Sequence, residues 1–141
     1  MKAILAIDQG TTGTTVAVMN ARGALLGSVN YEFPQIYPKP GWVEHDPEAI
    51  WATVLKGIRA VFRKGLCRPV DVACIGITNQ RETALLWERR TGKPLGNAIV
   101  WQCRRTASFC EGLRKRGLEP MVRDRTGLVL DPYFSASKFR W

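Results

Sequence analysis

Three short apolar segments separated by two tight turns open the chain, and they constrain its fold more than any other feature. Residues 2–7 form a brief apolar run that stops at Asp8. Residues 14–19 are β-branched and alternating, and residues 24–31 repeat that character. Strands of this length, bounded by Gly, Asn, Asp and Thr, are the pattern of β-structure rather than helix. Turns at residues 10–13 and 20–23 are too short for a crossover, so the three strands must form an antiparallel meander.

A loop over residues 32–46 follows, with Pro34, Pro38 and Pro40 barring regular structure. A helix then begins at a well-marked point. Asp46 is a good N-cap, and Pro47 takes the first helical position, where its missing N–H costs nothing. Ile50, Val54, Ile58, Val61 and Phe62 share one helical face, widened by Trp51 and Leu55, and Gly65 suits the position just past the helix end. Residues 70–78 read as a strand buried in its second half. Because it returns after a helix, it is expected to pair in parallel with the first strand. Residues 83–88 and 95–101 suggest a hairpin about Thr91-Gly92-Lys93-Pro94. An amphipathic helix spans residues 105–116 up to Gly117, a short helix starts at Pro120, and residues 135–141 begin a further one. The order βββαβ predicts a single α/β domain with a mixed sheet, the opening of the ribonuclease-H-like, actin-like ATPase fold.

Composition narrows the function classes. Hydrophobic residues make up 45% of the 141 residues, enough to bury a core. No apolar run reaches the length of a membrane span, and the apolar N-terminal stretch is too short for a signal peptide. A cytoplasmic protein is expected, with no membrane insertion. Cys67, Cys74, Cys103 and Cys110 make no CxxC, and His45 is the single histidine, so the thiols are read as reduced and a zinc site is not expected. The formal charge of +9 raises nucleic acid as a partner. The basic residues are interleaved with Glu and apolar residues, however, and read as solvated helix faces, so no nucleic-acid partner is expected.

Four segments carry chemistry. In Asp8-Gln9-Gly10-Thr11-Thr12-Gly13-Thr14 a carboxylate ends a buried strand, and two glycines permit backbone N–H groups to face one concavity. That suits a nucleotide phosphate, with Asp8 near a metal through water. An ordinary hairpin turn fits the same residues. Asn79-Gln80-Arg81-Glu82 follows a strand end, where ligand groups collect in α/β proteins. Arg81 donates and Glu82 accepts, which together satisfy adjacent hydroxyls. A surface ion pair is the plainer alternative. Trp101 offers an apolar wall and Tyr133 a hydroxyl, although each also fits ordinary packing.

The stretches AIDQGTT, QIYPKPGWVEHDP, IGITNQRET, NAIVWQCRRT and TGLVLDPYFS, in this order over residues 6–135, resemble the glycerol kinases of the carbohydrate kinase family. The resemblance implies ATP-dependent phosphorylation of glycerol to glycerol 3-phosphate, with ATP and Mg²⁺ required. It implies that Arg81, Glu82 and Tyr133 hold the polyol hydroxyls while Trp101 lines their pocket. Thr11, Thr12 and Gly13 would contact the nucleotide phosphates, and Asp8 would lie by the metal. Two positions depart from the family pattern: Gly13 stands where Ser is common, and Thr15 where Arg is frequent. The resemblance also implies that residues 1–141 are the N-terminal part of the first of two actin-like domains. The second domain is then absent, and the catalytic base, an Asp, lies beyond Trp141. This chain alone is expected to be inactive, and the complete enzyme to be a homo-oligomer. The alternatives are a related sugar kinase with another polyol or pentose acceptor, and a truncated product with no enzymatic role.

Overall fold

The computed structural model describes residues 2–141, which fall into two compact units. Unit 1 comprises residues 2–34 and 46–80. Unit 2 comprises residues 35–45 and 81–141.

Unit 1 is a four-stranded sheet with one helix laid on it. Strands β1 (Ala3–Gln9), β2 (Gly13–Asn20) and β3 (Leu25–Glu32) form the expected antiparallel meander. Helix α1 (Pro47–Arg63) and a short 3₁₀ turn (Pro69–Asp71) lead to β5 (Val72–Asn79), which pairs in parallel with β1. The resulting strand order is β3-β2-β1-β5. Side chains alternate across a strand, so Ala3, Leu5 and Ile7 of β1 and Thr14, Val16 and Val18 of β2 point to one face. There they pack with Val54, Ala60 and Val61 of α1.

The helix begins as the sequence predicts: the Asp46 side chain accepts a hydrogen bond from the Glu48 N–H at 2.9 Å, and Pro47 opens the first turn. Its close seating depends on Gly57, where a β-carbon would lie 2.4 Å from a Val16 methyl. Thr14 and Thr53 share a buried hydroxyl hydrogen bond of 2.8 Å, and Thr53 donates onward to the Ile50 carbonyl. That bond closes the polar end of an otherwise apolar interface.

Two expectations for unit 1 fail. Residues 70–78 are not buried in their second half. Ile75 and Ile77 pair in register with Leu5 and Ile7 yet are 56% and 72% exposed, and Cys74 is exposed as well. The reason is coverage: α1 packs on β1, β2 and β3, and β5 lies beyond its edge. Trp51 is also exposed, because the small residues Gly57 and Ala60 bring the helix down on a narrower stripe than its apolar sequence suggests.

Unit 2 has little regular sheet. Strand β4 (Glu44–His45) pairs antiparallel with β6 (Ala98–Ile99), a pairing no sequence pattern announced. The predicted hairpin about residues 91–94 exists, but its pairs Ala84–Ile99 and Trp87–Pro94 do not share one register. An irregular ladder therefore replaces two continuous strands, and Trp101 lies in a turn after β6 rather than at the end of a strand. Helices α2 (Ala107–Lys115), α3 (Glu119–Thr126) and α4 (Ser135–Arg140) complete the unit. The basic residues are not all solvated. The Arg105 side chain is 2% exposed and pairs with Glu44 at 2.6 Å, and Lys138 is 3% exposed.

Candidate functional site

The hairpin joining β1 to β2 carries the first group of predicted residues. Gly10 N–H donates to the Gly13 carbonyl at 2.9 Å, which leaves Thr11 and Thr12 at the tip. Asp8 is exposed on the strand leading into it, and its carboxylate has no partner among the described residues. The turn is braced by amides. Gln9 Nε2 donates to the Gly10 carbonyl at 2.7 Å, and Gln80 Nε2 donates to Gln9 Oε1 at 3.1 Å. Gln80 is 7% exposed and sits just past the end of β5. The parallel strand therefore holds the loop's backbone in place. Sequence reasoning gave neither glutamine this part, since the residues beside them carried the chemistry.

Gly13 has a structural reason as well. A β-carbon there would lie 2.8 Å from the Tyr31 carbonyl oxygen. The close pairing of β2 with β3 at Glu32 excludes any larger residue unless the strands part. Thr15 is engaged too, accepting a hydrogen bond from Asn30 Nδ2 at 2.8 Å.

Among the described residues no three His, Cys, Asp or Glu side chains converge. The donor set near Asp8 is thus a single carboxylate beside a Gly/Thr turn. This fits Mg²⁺, which keeps much of its water and takes one or two carboxylates together with substrate phosphates.

The second group lies in unit 2. Glu82 adopts φ of 63°, the one non-glycine residue with positive φ among those described. That conformation costs a non-glycine residue roughly 1–2 kcal/mol, so the surroundings must hold it, and they do so at both ends of the residue. Carboxylate oxygen Oε2 accepts from the Ser135 N–H and the Ser135 hydroxyl, each at 2.8 Å. The backbone carbonyl accepts from the Lys138 ammonium, which also donates to the Tyr133 carbonyl. Burial pulls the Lys138 pKa below its ordinary value, opposed by the charge of Glu82.

Trp101 and Tyr133 meet edge to face with ring centroids 5.8 Å apart, a favoured aromatic geometry. The Trp101 backbone N–H donates to Thr83 Oγ1 at 3.3 Å, and the Tyr133 backbone N–H donates to Asp131 Oδ1 at 2.8 Å. Arg81 is exposed, with no ion-pair partner among the described residues. It does not form the surface ion pair with Glu82 that the sequence left open.

Glu82, Trp101 and Tyr133 are therefore brought together, with Arg81 adjoining. Ser135 and Lys138 are the residues that sequence reasoning missed. Lys138 lies among Ser, Ala and Phe in a segment with no distinguishing local signal, and lysine is seldom buried.

Unit 1 thus carries a Gly/Thr turn beside a lone carboxylate, and unit 2 carries a carboxylate–aromatic cluster whose groups suit hydroxyls. The chain belongs to the FGGY family of carbohydrate kinases, whose N-terminal domain matches residues 3–141. Within that family it is similar to the glycerol kinases of Salmonella arizonae, 56% identical over 99% of the chain, and Caldanaerobacter subterraneus, 51% identical over 99%. It spans 28% of the length of these curated relatives. Among solved structures, the glycerol kinase of Plasmodium falciparum with ADP superposes with a TM-score of 0.91 at 36% identity, covering all of this chain and 28% of that one. A ligand-bound xylulose kinase from Lactobacillus acidophilus gives the same TM-score at 26% identity, with the same coverage.

Proposed function

We propose that this chain supplies the polyol-holding residues and the phosphate loop of an enzyme that transfers the γ-phosphoryl group of ATP to glycerol, giving glycerol 3-phosphate. The observation that carries this reading is the fixed Glu82 carboxylate. One of its oxygens is pinned by Ser135, and the other is left for a substrate hydroxyl, beside the Trp101–Tyr133 pair. Arg81 supplies donors and Glu82 an acceptor for neighbouring hydroxyls. Trp101 faces the carbon backbone, and Tyr133 adds a hydroxyl contact.

Phosphoryl transfer asks little covalent chemistry of a protein and much positioning. Thr11, Thr12 and Gly13 hold the nucleotide phosphates. Mg²⁺, held by Asp8 through water, would neutralise their charge. No residue of this chain is assigned as the base that accepts the hydroxyl proton. The resemblance to glycerol kinases implies that this base is an Asp outside residues 1–141, so these residues alone are predicted to release no ADP in a glycerol-dependent coupled assay. A cytoplasmic, homo-oligomeric enzyme is the setting the family likeness suggests.

A pentose or other polyol acceptor is the second reading, since xylulose kinase shares the fold. The higher identity to glycerol kinases favours glycerol. Titrating the chain with glycerol while recording amide and indole NMR signals tests the site. Shifts at Glu82, Trp101 and Tyr133 are expected. Saturating glycerol with no shift at these residues would reject the assignment.

A further inference from the structure

Glu82 and Tyr133 stand far apart in the chain, and each reaches the cluster through an irregular segment. Neither is placed by a sheet ladder or by the interior of a helix. Something must therefore fix the separation between the Glu82 carboxylate and the Tyr133 ring.

One side chain bonds to both segments at their backbones. Lys138, on α4, donates to the carbonyl of Glu82 and to the carbonyl of Tyr133. Its ammonium lies 5.9 Å from the Tyr133 ring centroid. The α4 backbone is itself anchored, because the Ser137 hydroxyl shares a 2.8 Å hydrogen bond with Thr106 and donates to the Phe134 carbonyl at 3.3 Å.

We propose that Lys138 is a positioning residue for the polyol site, its buried ammonium clamping the Glu82 and Tyr133 carbonyls so that carboxylate and phenol are spaced for one three-carbon polyol. This rests on the reading of Glu82, Trp101 and Tyr133 as the polyol-holding group.

Chemistry explains why a lysine is used. An ammonium offers three donors on a compact head at the end of a slender stem, and it can reach two carbonyls at an angle. A guanidinium presents a planar fork matched to carboxylates, and methionine has the length without a donor. Burying a charge is costly unless it is well hydrogen-bonded. Two carbonyls and the nearby Glu82 carboxylate meet that need. In return, the carbonyl bond holds Glu82 in the left-handed conformation from which its carboxylate reaches Ser135. Ser135 orients the carboxylate, and Lys138 sets where that carboxylate stands relative to Tyr133.

The test compares the chain with its Lys138→Met and Lys138→Arg variants. Each is titrated with glycerol and with 1,2-propanediol, which lacks one terminal hydroxyl, and followed by NMR shifts at Glu82, Trp101 and Tyr133. A site built to hydrogen-bond a hydroxyl rejects the analogue lacking it. The unaltered chain should therefore prefer glycerol. Lys138→Met should bind glycerol roughly tenfold more weakly, the scale of a lost charge-assisted hydrogen bond. Its preference over 1,2-propanediol should fall towards unity. A purely structural lysine would weaken both ligands alike and leave the preference intact, and that result would overturn the proposal.

Lys138→Arg keeps the charge and most of the stem, so it carries the test if the methionine variant does not fold. It too should lose the preference, and an arginine variant that binds like the unaltered chain would refute the clamp. Collapse of amide dispersion in both variants would make Lys138 a folding residue alone and likewise end the proposal. Silence of the unaltered chain towards glycerol would instead strike the polyol reading itself, and the clamp would fall with it.

Discussion

The two units keep their order by different means. Unit 1 is held by repetition: alternating Leu, Ile and Val on β1 and β2 meet one face of α1, with the pair Thr14–Thr53 as a buried polar contact within it. Unit 2 is held by particular polar contacts. Arg105 pairs with Glu44 while stacked 4.0 Å from Trp42 and 4.8 Å from Trp141. His45 is fully buried and bonds Gln35 at 2.6 Å, and Lys138 spans two carbonyls. Burial by repetition tolerates exchange among apolar residues, whereas a buried charge tolerates no loss of its partner. On the proposed function, unit 2 presents a carboxylate and two aromatic rings in fixed places, which needs the second kind of order. A scaffold for a turn can rely on the first.

The largest expected effect lies in unit 2. Arg105→Met leaves the part-buried Glu44 carboxylate without its ion-pair partner and should cost up to about 3 kcal/mol, the low end for a buried pair, read as early loss of amide protection in residues 35–45 and 81–141. Adding Glu44→Gln should recover part of that loss, and a double variant as unstable as the single one would show that the pair is not the cause. The same pair predicts an acid dependence. Burial raises the Glu44 pKa, but hydrogen bonds from Asn97 and Arg105, with the Arg105 charge, outweigh it and leave the pKa below the ordinary 4.5. A depressed carboxylate stabilises the fold fully above its unfolded value. The contribution of Glu44 to unit 2 should therefore be fully present above about pH 4.5 and be lost as pH falls through the folded value. Arg105→Met should flatten that slope.

Smaller effects test the contrast from unit 1. Gly57→Ala forces a methyl against Val16 and should cost about 1–3 kcal/mol by overpacking, seen as a lower urea midpoint. An unchanged midpoint would mean that α1 does not seat as closely as described. Asp46→Ala removes the N-cap of α1 and should cost about 1 kcal/mol, measurable in the same titration. Protection within residues 81–141 should change little in either variant.

Legibility in the sequence followed the same division. The meander, the capped helix and the parallel return strand were all readable, because apolar periodicity and Asp46-Pro47 are local signals of what packs and where a helix begins. Exposure of β5 was not readable, since periodicity reports which face is apolar and not whether anything covers it. In unit 2, Glu82, Trp101 and Tyr133 were singled out by chemistry and motif order. Ser135 and Lys138, which hold Glu82 in place, gave no local sign, because their contacts join residues some fifty positions apart. The pairing of Glu44–His45 with Ala98–Ile99 escaped for the same reason.

On the proposed function, residues 1–141 carry the acceptor site of a glycerol-phosphorylating kinase, which a chimaeric enzyme can report. These residues are grafted in place of the matching N-terminal segment of the Salmonella arizonae glycerol kinase, and ADP release is followed with glycerol, xylulose and gluconate as acceptors. Glycerol-dependent turnover is expected, and Glu82→Gln should reduce it by at least about a hundredfold, on the order of 3 kcal/mol for a lost contact to a charged group. A folded graft that prefers xylulose or gluconate, or one that turns over glycerol equally well with Gln at position 82, would contradict it.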